Sequence, residues 1–522
     1  MAFANFFDRT ATAASQVLSN FSLDAYKATL SEHLVGLYFD DAAAASPEGR
    51  ATLDLCVRIL ARLYPAMTLA GVGSQAEAYG SELKKLALGI SDRIDLPSDI
   101  MNSTIIVVVG NTDIAGGKTR IFAGSDGWRA LISQDGPVGS GSTENPFGAG
   151  AAACFAAANV FRFVFAHQLT RGELDRKIDL SMFDYHQAGV PGPSLPDGVD
   201  LGDAYLAGLG AIGHGAMWAL CRLPGLTGTL HAVDHDVVDL SNLQRYVMAL
   251  QKDIDRPKSH LARALLKREG LRVPAHPLKW NDYVTGRRKR SFERVAVALD
   301  NAADRIGLQA SLPRWIVNAW TQELDLGISR HEFGDGKACL ACLYMPTGAI
   351  KSEDERVAEE LRLPEAKQEV RELLQRNDGV SETFVQRVAT AFAVPYAQLQ
   401  PFVGQPLRNF YQKAICGGMM LGLTGTGNPG TAVVPMAFQS ALAGLGLAAD
   451  LVKHAAGLPV PASTSTRINL LRPLAPILAD PRARDTSGRC ICCDRDFLDM
   501  YRRKYVIRMP RAASYPEAVD RP

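Results

Sequence analysis

Continuous runs of apolar residues alternate along this chain with amphipathic segments, and this pattern predicts an α/β fold. Runs rich in apolar and β-branched residues, typical of parallel strands buried on both faces, lie at residues 104–109, 204–207, 228–233 and 295–299. Apolar residues at helical spacing over residues 50–66 predict an amphipathic helix that ends near Pro65. Residues 1–45 are predicted to be helical and partly exposed.

Two long helices of small residues are each entered through a proline. One follows Pro146 and runs to Phe165, and the other follows Pro435 and runs to His454. Each closes one half of the chain, so we interpret them as a weak internal duplication of two related α/β halves. An unrelated N-terminal α/β domain is the alternative. Polar residues interrupt both helices, so we expect buried packing helices and no membrane span.

A glycine-rich turn lies between the strand at 204–207 and an apolar helix. Its glycines, Gly208, Gly210 and Gly213, have the spacing G-x-G-x-x-G, which permits a tight turn, close approach of the backbone to a phosphate and close helix–strand packing. The free N–H groups at the helix start favour an anion. The pattern predicts a dinucleotide or nucleotide fold but does not specify the ligand.

The polar residues that follow narrow the choice of nucleotide. Asp234 follows the strand at 228–233, where a carboxylate can bind ribose hydroxyls, and it forms a D-x-D motif with Asp236. Asn242 and Arg245 come next in S-N-L-Q-R, and Lys258 ends R-P-K. Three such donors suit a triphosphate better than the pyrophosphate of a hydride cofactor, which needs little besides backbone N–H groups.

In this order and spacing, the four motifs resemble the adenylyltransferase family that includes ubiquitin-activating enzymes and their relatives in thiamine and molybdopterin synthesis. The resemblance covers about residues 200–495 and implies a Rossmann-like adenylation domain that binds ATP and Mg²⁺. It also implies that Asp300 is the acid on the magnesium side of the triphosphate, whereas the residues alone equally allow a helix N-cap. Tyr246 stands where the family commonly has Gln, a departure expected to alter packing and not chemistry.

The resemblance also suggests a role for the first half. Ubiquitin-activating enzymes have an inactive adenylation-like half before the active one, and residues 45–185 look like it because they lack the glycine loop and the D-x-D. No arginine of these residues stands out in the sequence as the finger that the inactive half usually lends. The predicted domains are 1–190 (inactive adenylation-like), 200–345 (active adenylation, first part), 346–418 (helical insertion and crossover stretch), 419–500 (active adenylation, closing part) and 501–522 (tail).

Two C-x-x-C pairs predict a metal site. Cys339 and Cys342 form one pair and Cys490 and Cys493 the other; together they complete a tetrahedral Cys₄ shell with no open position. We therefore predict a structural Zn²⁺ that staples the C-terminal segment to the body of the protein. A redox pair or chance is the alternative, and Cys492 is a spare that could replace either neighbour.

Cys416 is the candidate nucleophile. It lies in a glycine-rich stretch before the closing helix, where a thiol near an activated carbonyl would be useful. In the resembling family the thioester cysteine lies on this crossover stretch; a structural thiol is the alternative. The remaining thiols, Cys56, Cys154 and Cys221, lie on apolar helical faces and are expected to be small buried residues.

Composition narrows the compartment and the partners. The chain has 56 basic and 55 acidic residues and a net charge of +1. This balance excludes the strong positive charge typical of nucleic-acid-binding proteins and suggests no basic patch for a membrane surface. Its nine cysteines fit no secreted disulfide framework at this length, and the N-terminus has no signal-peptide pattern. We expect a cytoplasmic protein.

Together these features predict an ATP-dependent activating enzyme for a ubiquitin-like protein. The partner's C-terminal carboxylate is adenylated, passes to Cys416 as a thioester and is handed to a conjugating enzyme; a bacterial cascade used in antiviral defence is one possible setting. The alternatives are a sulfur-carrier-protein adenylyltransferase of thiamine or molybdopterin type, a relative that adenylates small acids, and a non-catalytic nucleotide-binding scaffold. The chain is expected to act as a monomer whose halves form a pseudo-dimer, or as a homodimer.

Overall fold

The computed structural model describes residues 2–115, 118–188, 191–287, 290–345, 352–411, 434–461 and 464–505. Its α-helices are α1 (Phe7–Ser15), α2 (Leu23–Glu32), α3 (Asp41–Ala45), α4 (Pro47–Leu63), α5 (Ser74–Ile90), α6 (Pro146–Val164), α7 (Ala211–Leu220), α8 (Lys258–Leu266), α9 (Trp280–Thr285), α10 (Ala302–Ala310), α11 (Leu340–Leu343), α12 (Glu353–Glu360), α13 (Lys367–Arg376), α14 (Glu382–Phe392), α15 (Tyr396–Leu399), α16 (Leu407–Tyr411), α17 (Ala437–Ala455) and α18 (Arg495–Tyr505).

The strands form two sheets, and the predicted α/β fold is confirmed. They are β1 (Val35–Asp40), β2 (Met67–Val72), β3 (Ile105–Val109), β4 (Thr119–Asp126), β5 (Arg129–Ser133), β6 (Lys177–Ser181), β7 (Val199–Ala207), β8 (Leu226–Val233), β9 (Leu271–Arg272), β10 (Ala275–His276), β11 (Arg294–Val297), β12 (Trp315–Thr321), β13 (Asp325–Glu332), β14 (Ser465–Asn469) and β15 (Leu478–Asp480). The first sheet has the order β2-β1-β3-β4-β5-β6. The second has the order β10-β8-β7-β11-β12-β13-β14-β15, with β9 also paired to β8.

The two sheets share one topology. In the first, β1, β2, β3 and β4 are parallel, and β5 and β6 add antiparallel. In the second, β7, β8, β11 and β12 are parallel, and β13 and β14 add antiparallel in the same positions. The proline-entered helices also correspond, since α6 precedes β6 and α17 precedes β14. This correspondence supports the hypothesis of an internal duplication.

Helices from both halves form a shared layer between the sheets. Helix α17 packs on α7 and on α6, and α6 packs on α4. Helices α7 and α17 cross so closely that glycine is needed at the contact. A Cβ on Gly215 would lie 2.6 Å from the Ala441 carbonyl oxygen, and one on Gly444 would lie 2.2 Å from the Ile212 carbonyl oxygen. In the described part of the chain, α6 is the helix long and apolar enough to cross a membrane, yet 94% of it is buried inside the protein. The predicted role of α6 as a packing helix is confirmed.

The N-terminal region differs from the prediction. Residues 35–40 fall in the region predicted to be helical, but they form β1, which lies between β2 and β3 in the first sheet. By contrast, the predicted strands over 104–109, 228–233 and 295–299 correspond to β3, β8 and β11.

The insertion is helical, as predicted. Helices α12 to α16 enclose a hydrophobic cluster of their own, separate from the main core, with Val357, Leu361, Val370, Phe384, Val388 and Phe410 among its buried members. Its internal ion pairs, such as Arg371 with Asp354 and Arg387 with Glu369, link neighbouring helices. The insertion therefore has the core of a small subdomain.

Candidate active site

The glycine-rich turn joins β7 to α7 and requires glycine at two of its three positions. Gly208 has φ +90°, and a Cβ there would lie 2.5 Å from the Ala298 carbonyl oxygen. A Cβ on Gly213 would lie 2.6 Å from the Gly208 carbonyl. At Gly210, the N-cap of α7, a Cβ would meet only the Tyr246 hydroxyl, at 3.5 Å. Gly210 therefore faces the open side of the turn, where a ligand can approach the N–H groups that begin α7.

Asp234 connects this turn to the end of β8. One carboxylate oxygen accepts the Leu209 N–H at 2.7 Å, and the other accepts the Asp236 N–H at 2.9 Å. Burial raises the pKa of Asp234, although Lys258 and the two N–H groups oppose the shift. The predicted ribose ligand is therefore also a structural tie, and each of its oxygens keeps one lone pair for a hydroxyl group.

Lys258 and Asp236 form the charged centre of the site. The Lys258 ammonium, at the start of α8, is buried and donates to Asp236 at 2.8 Å. Burial alone would lower the pKa of Lys258, but Tyr246, Asp234 and Asp236 raise it above its ordinary value. Burial would likewise raise the pKa of Asp236, but Lys258 brings it below its ordinary value. Lys258 is thus a fixed positive charge at neutral pH.

Tyr246 lies at the middle of the site, where the sequence suggested only a packing role. Its ring centroid is 5.4 Å from the Lys258 ammonium and 5.9 Å from the Arg245 guanidinium. The hydroxyl reaches the glycine turn at Gly210. The structure therefore places Arg245 and Lys258 around one aromatic ring, an arrangement in which both cations are oriented by cation–π attraction.

His214 is a site residue that the sequence analysis missed. It is fully buried in α7, its ring centroid is 4.5 Å from that of Tyr246, and its Nδ1 accepts the Met248 N–H at 3.2 Å. Burial and the nearby cations Arg62 and Lys258 hold the pKa of His214 well below its ordinary value. The ring is therefore neutral with its proton on Nε2. A histidine following the glycine fingerprint was the available signal.

The side chain of Asn242 is held by a hydrogen bond within its own loop, whereas that of Asp300 is exposed. Asn242 lies in a 3-10 helix, Leu240–Gln244, and its side-chain oxygen accepts the Asp239 N–H, which closes a capping box. Asp300 is exposed at the end of β11, and the N-cap of α10 is its neighbour Asn301. The helix-cap alternative for Asp300 is therefore wrong. Strand β11 lies beside β7, so the Asp300 carboxylate lies at the same end of the sheet as the glycine turn.

Arginines of the first half hold the backbone of this site. Arg58 of α4 donates to the Val247 carbonyl at 3.0 Å, and Arg62 donates to the Tyr246 carbonyl at 2.9 Å. A third arginine, Arg9, is buried on α1, which packs against the 3-10 helix Leu240–Gln244. The active half thus depends on the first half for the shape of its polar loop.

The first half has the matching crevice, but carboxylates fill it. Helix α3 follows β1 directly, and its N-cap Asp40 accepts the N–H groups of Ala43 and Asn111. Glu48, at the start of α4, is buried and accepts from the Gly127 N–H and the Thr143 hydroxyl. Anionic side chains therefore occupy these N–H and hydroxyl donors of the first half. That the first half is inactive stays a prediction.

Four cysteines form a cluster, but one of them differs from the prediction. The Sγ atoms of Cys339, Cys342, Cys490 and Cys492 lie together, with 3.8 Å for Cys339–Cys342, 3.5 Å for Cys339–Cys490 and 3.4 Å for Cys342–Cys492. A tetrahedral Zn²⁺ with Zn–S bonds of about 2.3 Å needs sulfur atoms roughly 3.8 Å apart, so the set fits this metal.

Cys493 is not part of the cluster, which corrects its assignment as a metal ligand. Its thiol donates to the Asp485 carbonyl at 2.9 Å. Cys490 is extended before the 3-10 turn Ile491–Cys493, and this geometry turns Cys492 toward the first pair. The cluster holds α18 to the body, where the Tyr505 hydroxyl donates to the Leu312 carbonyl at 2.9 Å.

The other thiols fall into two groups. Cys416 lies outside the described residues. Cys56 and Cys154 are fully buried, and burial raises the pKa of Cys56 to about 12 and that of Cys154 well above its ordinary value. Cys221 is half-buried, and its thiol donates to the Trp218 carbonyl. Both described thiols of the first half, Cys56 and Cys154, are therefore buried and have raised pKa values.

Comparisons with known proteins match both halves. A model of the ThiF family matches residues 202–464, and a model described as prokaryotic E2 family C matches residues 38–166. The uncharacterized protein y4jF of Sinorhizobium fredii (strain NBRC 101917 / NGR234) is 55% identical over 506 residues, which cover 97% of this chain and 98% of that protein. Crystal structures of E. coli MccB with MccA-N7isoASN and with ATP are 14% identical, with TM-scores of 0.35 and 0.34; they cover 56% of this chain and 67% and 66% of theirs.

Proposed function

The chain belongs to the ThiF family and is an ATP-binding adenylyltransferase, and from that premise we propose that it activates a ubiquitin-like protein. The partner's C-terminal carboxylate attacks the α-phosphate of ATP, an acyl–phosphate bond forms, and pyrophosphate leaves. The observation that carries the proposal is the grouping of Lys258, Asp236 and Arg245 around Tyr246, beside the glycine turn.

Each group has a role that its geometry supports. The α7 N-terminus and Gly210 receive the phosphates, and Asp234 holds the ribose with its remaining lone pairs. Lys258 and Arg245 stabilise negative charge that builds on the phosphates, and such charge stabilisation by pre-oriented groups is the main term in phosphoryl chemistry. Asp300 is the exposed carboxylate that would hold Mg²⁺, which supplies further charge neutralisation.

The first half contributes structural support and one arginine, and its described residues include no exposed thiol. Its match to prokaryotic E2 family C suggests a relationship to conjugating enzymes, but Cys56 and Cys154 are buried thiols with raised pKa values. We assign the finger role to Arg9, because α1 packs against the loop that carries Asn242 and Arg245. Arg9→Ala should lower adenylation, whereas Lys27→Ala on the neighbouring α2 should not.

Partner-dependent exchange of pyrophosphate into ATP tests the adenylation step. The test uses the full chain with a ubiquitin-like protein that ends in a free carboxylate, and with the same protein amidated at its C-terminus. Exchange with the carboxylate form and none with the amide is the expected result. Exchange with free amino acids and none with the protein would instead favour the alternative that adenylates small acids.

Transfer through Cys416 is the second step of the proposal. The Cys416 thiolate attacks the adenylate carbonyl, a thioester forms, and AMP leaves; a conjugating enzyme's cysteine then takes the acyl group. Cys416→Ala should abolish a thiol-sensitive adduct on a non-reducing gel while exchange persists. Cys221→Ala is the matched control and should leave the adduct intact. An adduct that survives Cys416→Ala would place the nucleophile elsewhere.

A sulfur-carrier adenylyltransferase of thiamine or molybdopterin type is the second candidate, favoured by the same nucleotide site. It would show exchange without any enzyme-bound thioester. The helical insertion with its own core favours the first candidate, because a separate subdomain beside the crossover stretch suits a transfer step. We further propose a cytoplasmic location, since paired free thiols and a zinc site suit a reducing compartment.

A further inference from the structure

A surface groove on the second half is lined by cations and by no carboxylate of the described chain. It has a volume of about 380 Å³ and lies between the end of α8, the strand β9 and Pro274, the residue before β10. Its basic residues are Arg263, Lys267, Arg268 and Arg272. We call this feature the basic groove. It is a local excess of charge in a protein whose net charge is only +1.

Local structure explains only part of this charge. Arg268 donates to the Leu220 carbonyl and so caps the end of α7, and it also donates to the Leu223 carbonyl at 2.6 Å. Arg263 lies in the last turn of α8, where a cation interacts favourably with the helix dipole. Lys267 and Arg272 are exposed, and none of the four forms an ion pair within the described ranges. The Arg272 guanidinium also donates to the Thr229 hydroxyl at 2.9 Å, so Arg263 and Lys267 are the two groove cations whose side chains have no partner among the described residues.

The groove also borders a free sheet edge. Strand β10 is the outermost strand of the second sheet as described. The Pro274 and His276 carbonyls accept from the Ala232 and Asp234 N–H groups of β8. Because the groups of successive residues alternate in direction, the N–H and C=O of Ala275 face away from the sheet. Such an edge can pair with one more strand.

From these two observations we propose that the basic groove binds an acidic, extended segment of a partner polypeptide. The segment adds a strand to β10, and carboxylates on alternate residues reach Arg263, Lys267 and Arg272. A compact phosphate cluster fits less well, because the groove faces the carbonyl end of α8 and offers no helix N-terminus. The cation of β9, Arg272, lies beside the first residues of β8, whereas β10 lies beside its last two residues, so the segment runs along the outer edge of the second sheet.

The test measures fluorescence anisotropy of a labelled eight-residue peptide of alternating Glu and Val with the full-length protein. Binding should weaken as salt rises, and it should be about tenfold weaker with Arg263→Ala combined with Lys267→Ala, since two exposed ion pairs are lost. The matched control combines Lys85→Ala with Arg93→Ala, two cations of the first half, and should bind normally. Pyrophosphate exchange should be unchanged in all three proteins.

Two further probes separate the edge from the charge. The same peptide with N-methyl groups on alternate amides should bind at least tenfold more weakly, because it cannot form a ladder. Unchanged affinity of the methylated peptide would overturn strand addition. Equal binding of a Lys–Val peptide, or a loss in the control protein as large as in the groove variant, would overturn the groove as the site. Tight binding of tripolyphosphate with no binding of the Glu–Val peptide would identify a phosphate site instead.

Discussion

Removal of the Lys258 ammonium is the most direct perturbation of the proposed active site. The ammonium is buried, lies 2.8 Å from Asp236 and is positively charged at neutral pH because its pKa is raised. Lys258→Ala deletes the charge and leaves Asp236 unopposed beside the phosphates. In the variant, the phosphates lose their attraction to the Lys258 ammonium and are also repelled by the Asp236 carboxylate, so adenylation should slow.

The size of the effect follows from the geometry. A unit charge about 4 Å from a phosphate oxygen contributes on the order of 4 kcal/mol at an effective dielectric near 20. Asp236 already neutralises part of the Lys258 charge before ATP binds. We therefore expect a loss of about 3 kcal/mol in the transition state, or roughly 10²-fold in exchange rate.

Initial rates of partner-dependent pyrophosphate exchange, measured below the KM for ATP, report this loss. Lys258→Arg keeps the charge and should lose less than Lys258→Ala, and urea unfolding of both variants checks that the fold is retained. Exchange within threefold of the normal rate in Lys258→Ala would refute the assignment of this residue.

Three further predictions concern the metal, the interface and pH. Elemental analysis of the purified protein should find about one zinc per chain, which should be lost in Cys492→Ser and kept in Cys493→Ser. The reverse pattern would identify Cys493 as the metal ligand. Asp54→Ala removes the carboxylate that forms ion pairs with Arg58 and, across the two halves, with Arg222, and should lower the free energy of unfolding measured in urea by about 3 kcal/mol. A change below about 0.5 kcal/mol would contradict this. Burial lowers the pKa of His454 to about 4, so the stability it contributes is present above the unfolded pKa of about 6.5 and is lost as pH falls toward 4. As the pH falls over that range, the urea midpoint of His454→Gln should fall less steeply than that of the unsubstituted protein. Equal slopes for the two proteins would contradict this prediction.

Patterns of contiguous residues predicted the fold well. The β-branched run of β3 and the glycine turn after β7 are local signals, so their elements were found. Strand β1 was missed because its residues follow two helices and include Gly36, which has low intrinsic strand propensity. Gly36 fits because a Cβ there would lie 2.7 Å from Ile100, a contact between distant segments that no local pattern reveals.

Side-chain roles in the site were predicted less completely. The motifs identified Lys258 and Asp234, but the second function of Asp234 as a tie to Leu209 depends on how the turn folds. The sequence predicts only a packing role for Tyr246, because it does not show that the ring centroid lies 5.4 Å and 5.9 Å from two cations. The choice between Cys492 and Cys493 depends on one turn of backbone. In each case the missing information was three-dimensional proximity.

The hydrogen bonds from Arg58 and Arg62 to the loop of the other half have a consequence for how activity scales with enzyme concentration. Where two separate subunits complete each other's sites, dilution dissociates them and activity per molecule falls. Here one polypeptide carries both halves, so the completing surface is always present at a fixed, very high effective concentration. The cost of assembly is met once, during folding, and specific activity should stay constant from nanomolar to micromolar enzyme.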